Sequence, residues 1–101
     1  MKYFIVEGVI KNPSAMNESI LEEHMEYTQK VMNQGLILMS TLKADMSGGL
    51  FIMKSESLEM VEKYLAAEPF KVAGIQEYRV IEFASPHYFN QSSMEWFNCL
   101  F

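Results

Sequence analysis

The order of strand-like and helix-like segments is the feature that most constrains how this sequence folds. Residues 2–10 are dense in aromatic and β-branched side chains and stop at the turn signal Lys11-Asn12-Pro13, which predicts a first strand. Leu36–Leu42 and Gly49–Lys54 are short apolar runs joined by a polar stretch, a pattern typical of a hairpin. Ile75–Phe83 is rich in β-forming residues and predicts a fourth strand.

A long helix is predicted between the first strand and the hairpin. It runs from about Asn17 or Ser19 to Gln34, because Ser19 with Glu22 three residues later forms a capping-box pattern. Gly35 follows at the position where a helix often ends in the left-handed conformation.

A second helix is predicted after the hairpin, over about Glu56–Ala67. Ser55 is the expected N-cap, and Pro69 is expected to force the end of the helix. Residues 70–74 are expected to be a short connector to the last strand.

The resulting order, βαββαβ, predicts an α+β fold of the ferredoxin-like type. Two crossovers of this kind give a four-stranded antiparallel sheet with both helices on one face. We expect this domain to span residues 1–84, with residues 85–101 forming an aromatic C-terminal extension.

The strands show little of the apolar–polar alternation expected when one face of a sheet meets water. In the first strand Tyr3, Ile5 and Val9 share one parity, while Phe4 and Val6 occupy the other. Half of the 101 residues are hydrophobic, and a chain of this length buries only roughly 60–68% of its unfolded surface. We therefore expect a homodimer that packs sheet against sheet, with the tail as a second candidate cover for the interface or the pocket mouth.

Charge and cysteine usage exclude several classes of partner. The formal net charge is −5, which gives no electrostatic footprint for nucleic acid or an anionic membrane. The sequence contains neither a signal peptide pattern nor an apolar run long enough to span a bilayer. Cys99 is the single cysteine and cannot form an intramolecular disulfide, so we expect a cytoplasmic protein.

His24 is the main candidate for chemistry, because it lies on the apolar stripe of the first helix. A histidine in such surroundings is more often a structural residue of the core. In the functional alternative, burial and a neighbouring carboxylate tune it for proton transfer, and Glu68 reaches it only through the fold.

Several local marks resemble the YciI-like proteins of the YCII-related family over about residues 1–83. They are His24 midway along the first helix, Glu68-Pro69-Phe70 after the second, and Ala73-Gly74 before the last strand. The resemblance implies a dimeric relative of the α+β barrel proteins with a catalytic His–Asp pair. One branch of that family looks like dehydrochlorinases of hydroxylated chloroaromatic rings, and similar barrels isomerise muconolactones.

By position, the histidine of this pair falls on His24 and the acid on Glu68. In the alternative interpretation, Glu68 before Pro69 is a solvated turn residue near the negative end of the second helix's dipole. The acid departs from the usual Asp by one methylene, which moves the carboxylate by about 1 Å or more. Ser40 and Thr41 stand where relatives often carry Gly-Pro, and their hydroxyls bind either a ligand or the backbone. Ser40, Thr41 and Phe70 are the candidate ligand contacts.

Three functional hypotheses follow from these residues. The first is a cofactor-free, metal-free enzyme of the lyase or isomerase type, in which His24 and Glu68 perform acid–base chemistry on a small, hydroxylated ring compound. The second is a non-catalytic module that binds a small molecule. The third is a purely structural partner protein that assembles through its tail.

Overall fold

The structure is a computed structural model that describes residues 1–97, and Cys99 lies outside the described residues. Four strands form one sheet: β1 (Lys2–Ile10), β2 (Ile37–Leu42), β3 (Gly49–Ser55) and β4 (Gln76–Phe83). The helices are α1 (Glu18–Asn33), α2 (Leu58–Ala66), α3 (Pro69–Val72) and α4 (Ser93–Trp96), with a 3-10 turn at Pro13–Ala15. The predicted βαββαβ order is confirmed, with the short α3 and α4 added to it.

The sheet is antiparallel throughout, in the order β2-β3-β1-β4. Central strand β1 pairs with β3 on one side and with β4 on the other. Strands β2 and β3 form the predicted hairpin, with a register irregularity between Ile37 and Met39. This is the strand order of a ferredoxin-like α+β fold.

One face of the sheet forms the hydrophobic core with α2 and part of α1. Residues of one parity on the two central strands are buried there, together with apolar residues of α2. Val31 and Met32 of α1 pack against this cluster and are only partly buried. The buried cluster comprises Phe4, Val6, Ile37, Phe51, Met53, Val61 and Leu65.

The opposite face of the sheet carries a broad apolar surface. On β1, Tyr3, Ile5 and Val9 are partly exposed, and the register places Ile52 and Ile81 on either side of Ile5. Glu7 interrupts this surface and pairs with two cations, with Lys43 Nζ at 3.1 Å and Arg79 at 3.9 Å. No residue from position 84 to position 97 is buried, so the described part of the tail does not seal against the domain.

The start of α1 differs from the capping-box prediction. Asn17 is the N-cap, and its side chain accepts a hydrogen bond from the Ile20 amide at 2.9 Å. Ser19 therefore lies within the first turn of the helix, since Asn17, two positions earlier, offers an equally good cap. The C-terminal prediction is confirmed, because Gly35 adopts φ +78° directly after Gln34.

The start of α2 and the connector after it were also predicted wrongly. Ser55 is the last residue of β3, and Ser57 caps α2 by accepting from the Met60 amide at 3.2 Å. The predicted connector at residues 70–74 contains most of α3, because Pro69 begins this short helix. None of the helices among residues 1–97 is long and apolar enough to cross a membrane.

Candidate active site

The candidate site lies where α1 crosses the start of α3. His24 is in the middle of α1, and its side chain is 26% exposed. Its imidazole ring stacks on the ring of Phe70, the second residue of α3. The lone histidine of the helical stripe is therefore neither sealed in the core nor free at the surface.

Glu68 is held in place by capping α3. Its Oε2 accepts hydrogen bonds from the backbone amides of Phe70 at 2.9 Å and Lys71 at 3.2 Å. Pro69 at the first helical position fixes the backbone and has no amide hydrogen that needs a partner. The Glu-Pro-Phe sequence therefore builds a capped turn that buries the carboxylate, which is only 2% exposed.

This position corrects the expectation for an acid at the end of a helix. Glu68 follows the C-terminus of α2, where a negative charge is unfavourable and is usually solvated. In the structure it also begins α3, so its carboxylate accepts amide hydrogens in place of water. The negative charge of Glu68 is therefore stabilised by the N-terminus of α3, and not only opposed by the C-terminus of α2.

The fold brings His24 and Glu68 into direct contact across 44 positions of sequence. Nδ1 of His24 bonds Oε1 of Glu68. Since the carboxylate only accepts, Nδ1 is the nitrogen that carries the proton in this bond, an assignment made from the hydrogen-bond partners. No other residue of 1–97 bonds the ring, which leaves Nε2 as a proton acceptor when the imidazole is neutral.

Tyr78 completes the surroundings of the carboxylate and was missed by sequence reasoning. Its hydroxyl donates to Glu68 Oε2 at 2.6 Å, so Glu68 accepts four bonds in all. Burial and the neighbouring Glu68 charge raise the pKa of Tyr78, so its hydroxyl stays protonated and can donate. Strand alternation places Tyr78 on the helix-facing side of β4, but nothing in the sequence indicates that its hydroxyl meets Glu68.

A cavity of about 640 Å³ adjoins the pair, between α1, the hairpin and α3. His24, Glu68 and Phe70 line it, as do Ser40 and Thr41, so the fold brings all five predicted site residues to one cavity. Its apolar wall consists of Ile10, Met16, Leu21, Leu42, Met46 and Phe51. Leu21, on the apolar stripe of α1, thus lies in the wall of a cavity, and no residue of α1 is fully buried.

Ser40 and Thr41 differ in their placement on β2. Ser40 pairs with Phe51 and shares its helix-facing side, whereas Thr41 pairs with Leu50 on the open side. The Thr41 hydroxyl lies 3.5 Å from the Leu42 carbonyl oxygen, in keeping with the backbone alternative for this residue. Ser40 is therefore the better placed of the two for a ligand.

The charges at the cavity are limited to the pair itself. The lining formed by residues 1–97 includes neither Lys nor Arg. Tyr64, which also lines it, has its pKa raised to about 12, mainly by burial, so it is a neutral hydroxyl at physiological pH. Within residues 1–97 there is no group of three or more His, Cys, Asp and Glu side chains placed to hold a metal ion.

Comparison with solved structures supports the fold assignment. The chain is similar to 5-chloro-2-hydroxyhydroquinone dehydrochlorinase from Burkholderia phenoliruptrix AC1100, solved in complex with 2,5-dihydroxybenzoquinone, with a TM-score of 0.59 and 21% identity. The alignment covers 85% of this chain and 95% of the dehydrochlorinase.

Two further structures share this architecture at lower identity. An antibiotic biosynthesis monooxygenase has a TM-score of 0.55 at 17% identity, and covers 85% of this chain and 99% of its own. The hypothetical protein PHS023 from Pyrococcus horikoshii has a TM-score of 0.51 at 10% identity, with coverages of 86% and 94%.

Among curated proteins, no sequence matches this chain. The model of the YCII-related domain matches residues 1–84, which include all four strands and both halves of the His24–Glu68 pair. The resemblance seen in the sequence is thereby confirmed, and the chain belongs to the YCII-related family.

Proposed function

We propose that the protein is a small-molecule enzyme in which His24 acts as the general base and Glu68 orients it. The observation that carries this proposal is the bond from Nδ1 to the buried Glu68 carboxylate, in the wall of a cavity large enough for a small ring compound. The carboxylate fixes the tautomer and stabilises the imidazolium that forms when Nε2 takes a proton.

The substrate class that fits is a hydroxylated ring without a carboxylate or phosphate group. Apolar side chains match the faces of a ring, while Ser40, Tyr64 and Nε2 of His24 supply hydrogen-bonding groups. The lining from residues 1–97 contains no Lys or Arg to neutralise an anionic group. The ligand named for the dehydrochlorinase neighbour, 2,5-dihydroxybenzoquinone, has a ring of this kind.

The proposed reaction begins with proton removal from the ring compound by Nε2. In a lyase reaction, the electron pair of the broken bond to hydrogen forms a new double bond. A leaving group such as chloride departs with the electron pair of its own bond to the ring. In an isomerase reaction, the imidazolium returns the proton to another carbon. Neither route requires a redox partner, and both use the same first step.

The test is turnover and binding of 5-chloro-2-hydroxyhydroquinone by the full chain and by His24→Asn. We expect chloride release by the wild type and a loss of about 100-fold or more in the variant, while binding in calorimetry persists. An equal rate in wild type and His24→Asn would overturn the role of His24. Binding without turnover by the wild type would overturn the enzyme and favour a ligand-binding module.

We also propose that two chains pair through the open face of the sheet. Partly exposed Tyr3, Ile5 and Ile52 form an apolar patch there with Ile81, which is 42% exposed, and Glu7 separates this patch from Val9. Contiguous apolar surface of this kind is typical of interfaces. In this proposal residues 85–101 cover the interface or the pocket mouth of the partner, which accounts for the exposure of Tyr88, Phe89 and Trp96 in the single chain.

A further inference from the structure

A series of partly buried hydrogen bonds leads from the hairpin to the carboxylate of Glu68. Gln76 precedes Tyr78 by two residues on β4, so both side chains lie on the helix-facing side of the sheet. The Gln76 amide nitrogen donates to the Tyr78 hydroxyl oxygen at 2.9 Å, and its Oε1 accepts from the Gly49 amide at 3.1 Å. Gln76 is only 3% exposed.

In each hydrogen bond of this series, the donor and the acceptor can be assigned in only one way. The Gly49 amide only donates, so it requires Oε1 of Gln76 at that end and turns the Gln76 nitrogen toward Tyr78. That nitrogen also only donates, so the Tyr78 oxygen accepts and its own proton points to Glu68. The series therefore delivers a donor to Oε2 and leaves Oε1 for His24.

Gly8 makes room for the side chain of Gln76, and Gly48 makes room mainly for the backbone of Gly8. A Cβ at Gly8 would lie 2.3 Å from Gln76 Oε1 and 2.6 Å from its Cδ. At Gly48 a Cβ would lie 2.0 Å from the Gly8 carbonyl oxygen and 3.1 Å from Gln76 Oε1. The central strand and the hairpin thus both carry glycine beside the buried amide of Gln76. Hydrophobic packing alone does not require glycine at these positions.

We infer that Gln76 and Tyr78 are positioning residues for the His24–Glu68 pair. They add a fixed donor at Oε2 to the amides of Phe70 and Lys71, and together these donors hold the carboxylate in the orientation that presents Oε1 to Nδ1 of His24. The consequence for catalysis rests on the proposed function, whereas the positioning itself concerns the resting protein. Buried polar networks of this kind are costly when one member is left unsatisfied, so the links depend on one another.

The test compares Tyr78→Phe with Tyr27→Phe in the full chain labelled with ¹⁵N-histidine. Tyr27 is the matched control, because its hydroxyl donates to the Tyr64 carbonyl oxygen at 2.7 Å and takes no part in the hydrogen bonds that lead from Gly49 to Glu68. With the imidazole neutral, we expect the wild type and Tyr27→Phe to show His24 protonated at Nδ1, with an exchange-protected Hδ1 resonance. In Tyr78→Phe that resonance is lost, and the nitrogen shifts move toward those of a free imidazole.

A folded Tyr78→Phe protein with unchanged His24 resonances would overturn the inference. If this variant does not fold, NMR of the wild type is the test. The hydroxyl proton of Tyr78 should be observable there and show cross-peaks to the Gln76 amide protons. A Tyr78 hydroxyl in free exchange with water would contradict the proposed hydrogen bonds from Gln76 through Tyr78 to Glu68. None of these measurements uses a substrate, so the absence of turnover would count against the proposed function and leave the positioning result intact.

Discussion

The imidazole of His24 lies flat on the phenyl ring of Phe70, with ring centroids 3.8 Å apart and planes 3° from parallel. Phe70 is 5% exposed, and its backbone amide also donates to Glu68. One residue thus supports both members of the pair, the histidine through its ring and the acid through its main chain.

The Phe70→Leu substitution separates these two contributions. Leucine keeps the backbone bond to Glu68 but removes the stacked ring, and we expect the free energy of unfolding to fall by about 1–2 kcal/mol. The carbon-bound ring protons of His24, shielded by Phe70 in the wild type, should move downfield in NMR spectra. Unshifted His24 protons in a folded variant would contradict the stacking.

Glu68→Asp tests the length of the acid. Aspartate is an equally good N-cap, so we expect α3 to persist, while the lost bond to His24 lowers the free energy of unfolding by about 1–3 kcal/mol. The shorter side chain cannot both cap α3 and reach Nδ1, so the Hδ1 resonance of His24 should be lost. A retained Hδ1 resonance would show that the extra methylene of Glu68 is not needed.

The free energy of unfolding should decrease at alkaline pH because of the partly buried tyrosines. Tyr64 has a folded pKa of about 12 against 10.0 in the unfolded chain, so its contribution is complete below pH 10 and is lost as the pH rises toward 12. With partial exposure taken into account, the loss is about 1–2 kcal/mol. Urea denaturation at several pH values measures it.

Tyr64→Phe is the control for this alkaline loss. In this variant the free energy of unfolding should fall less above pH 10 than in the wild type, because phenylalanine does not ionise. Tyr27 and Tyr78, whose pKa values are also raised by burial, contribute the remainder. A decrease identical to that of the wild type would assign the effect to other groups.

Ile81→Lys tests the sheet-to-sheet dimer. Ile81 is 42% exposed on edge strand β4, beside Ile5 on the open face. A lysine there is tolerated by a single chain but would place an unpaired charge in the interface, so sedimentation should show half the mass of the wild type. Leu38→Lys is the control, since Leu38 is 75% exposed on the opposite edge strand at the register irregularity, and should leave the mass unchanged.

Removal of residues 86–101 tests the tail separately. Aromatic residues from Tyr88 to Phe97 are exposed on the single chain, so we expect the domain to stay folded with a similar thermal midpoint. If the tail covers a partner, the truncated protein should bind more of a hydrophobic dye and change its oligomeric state. A truncated protein that is still a dimer, with unchanged dye binding, would exclude the tail as a cover.

Local and periodic features of the sequence determined the fold of this protein. The β-branched segments and the glycine after α1 are read from a few adjacent residues, and they predicted four strands and both long helices. The exact helix starts did not follow from these features, because Asn17 and Ser19, or Ser55 and Ser57, are equally good caps until packing selects one.

The site was decided by tertiary structure. His24 was recognisable on its helix, and the family resemblance pointed to Glu68, but the sequence favoured a solvated acid at the end of a helix. Only the folded chain shows that this carboxylate caps α3 and that Tyr78 donates to it. Contacts between residues 10 to 44 positions apart depend on how the helices pack on the sheet, and no local pattern in the sequence encodes that packing.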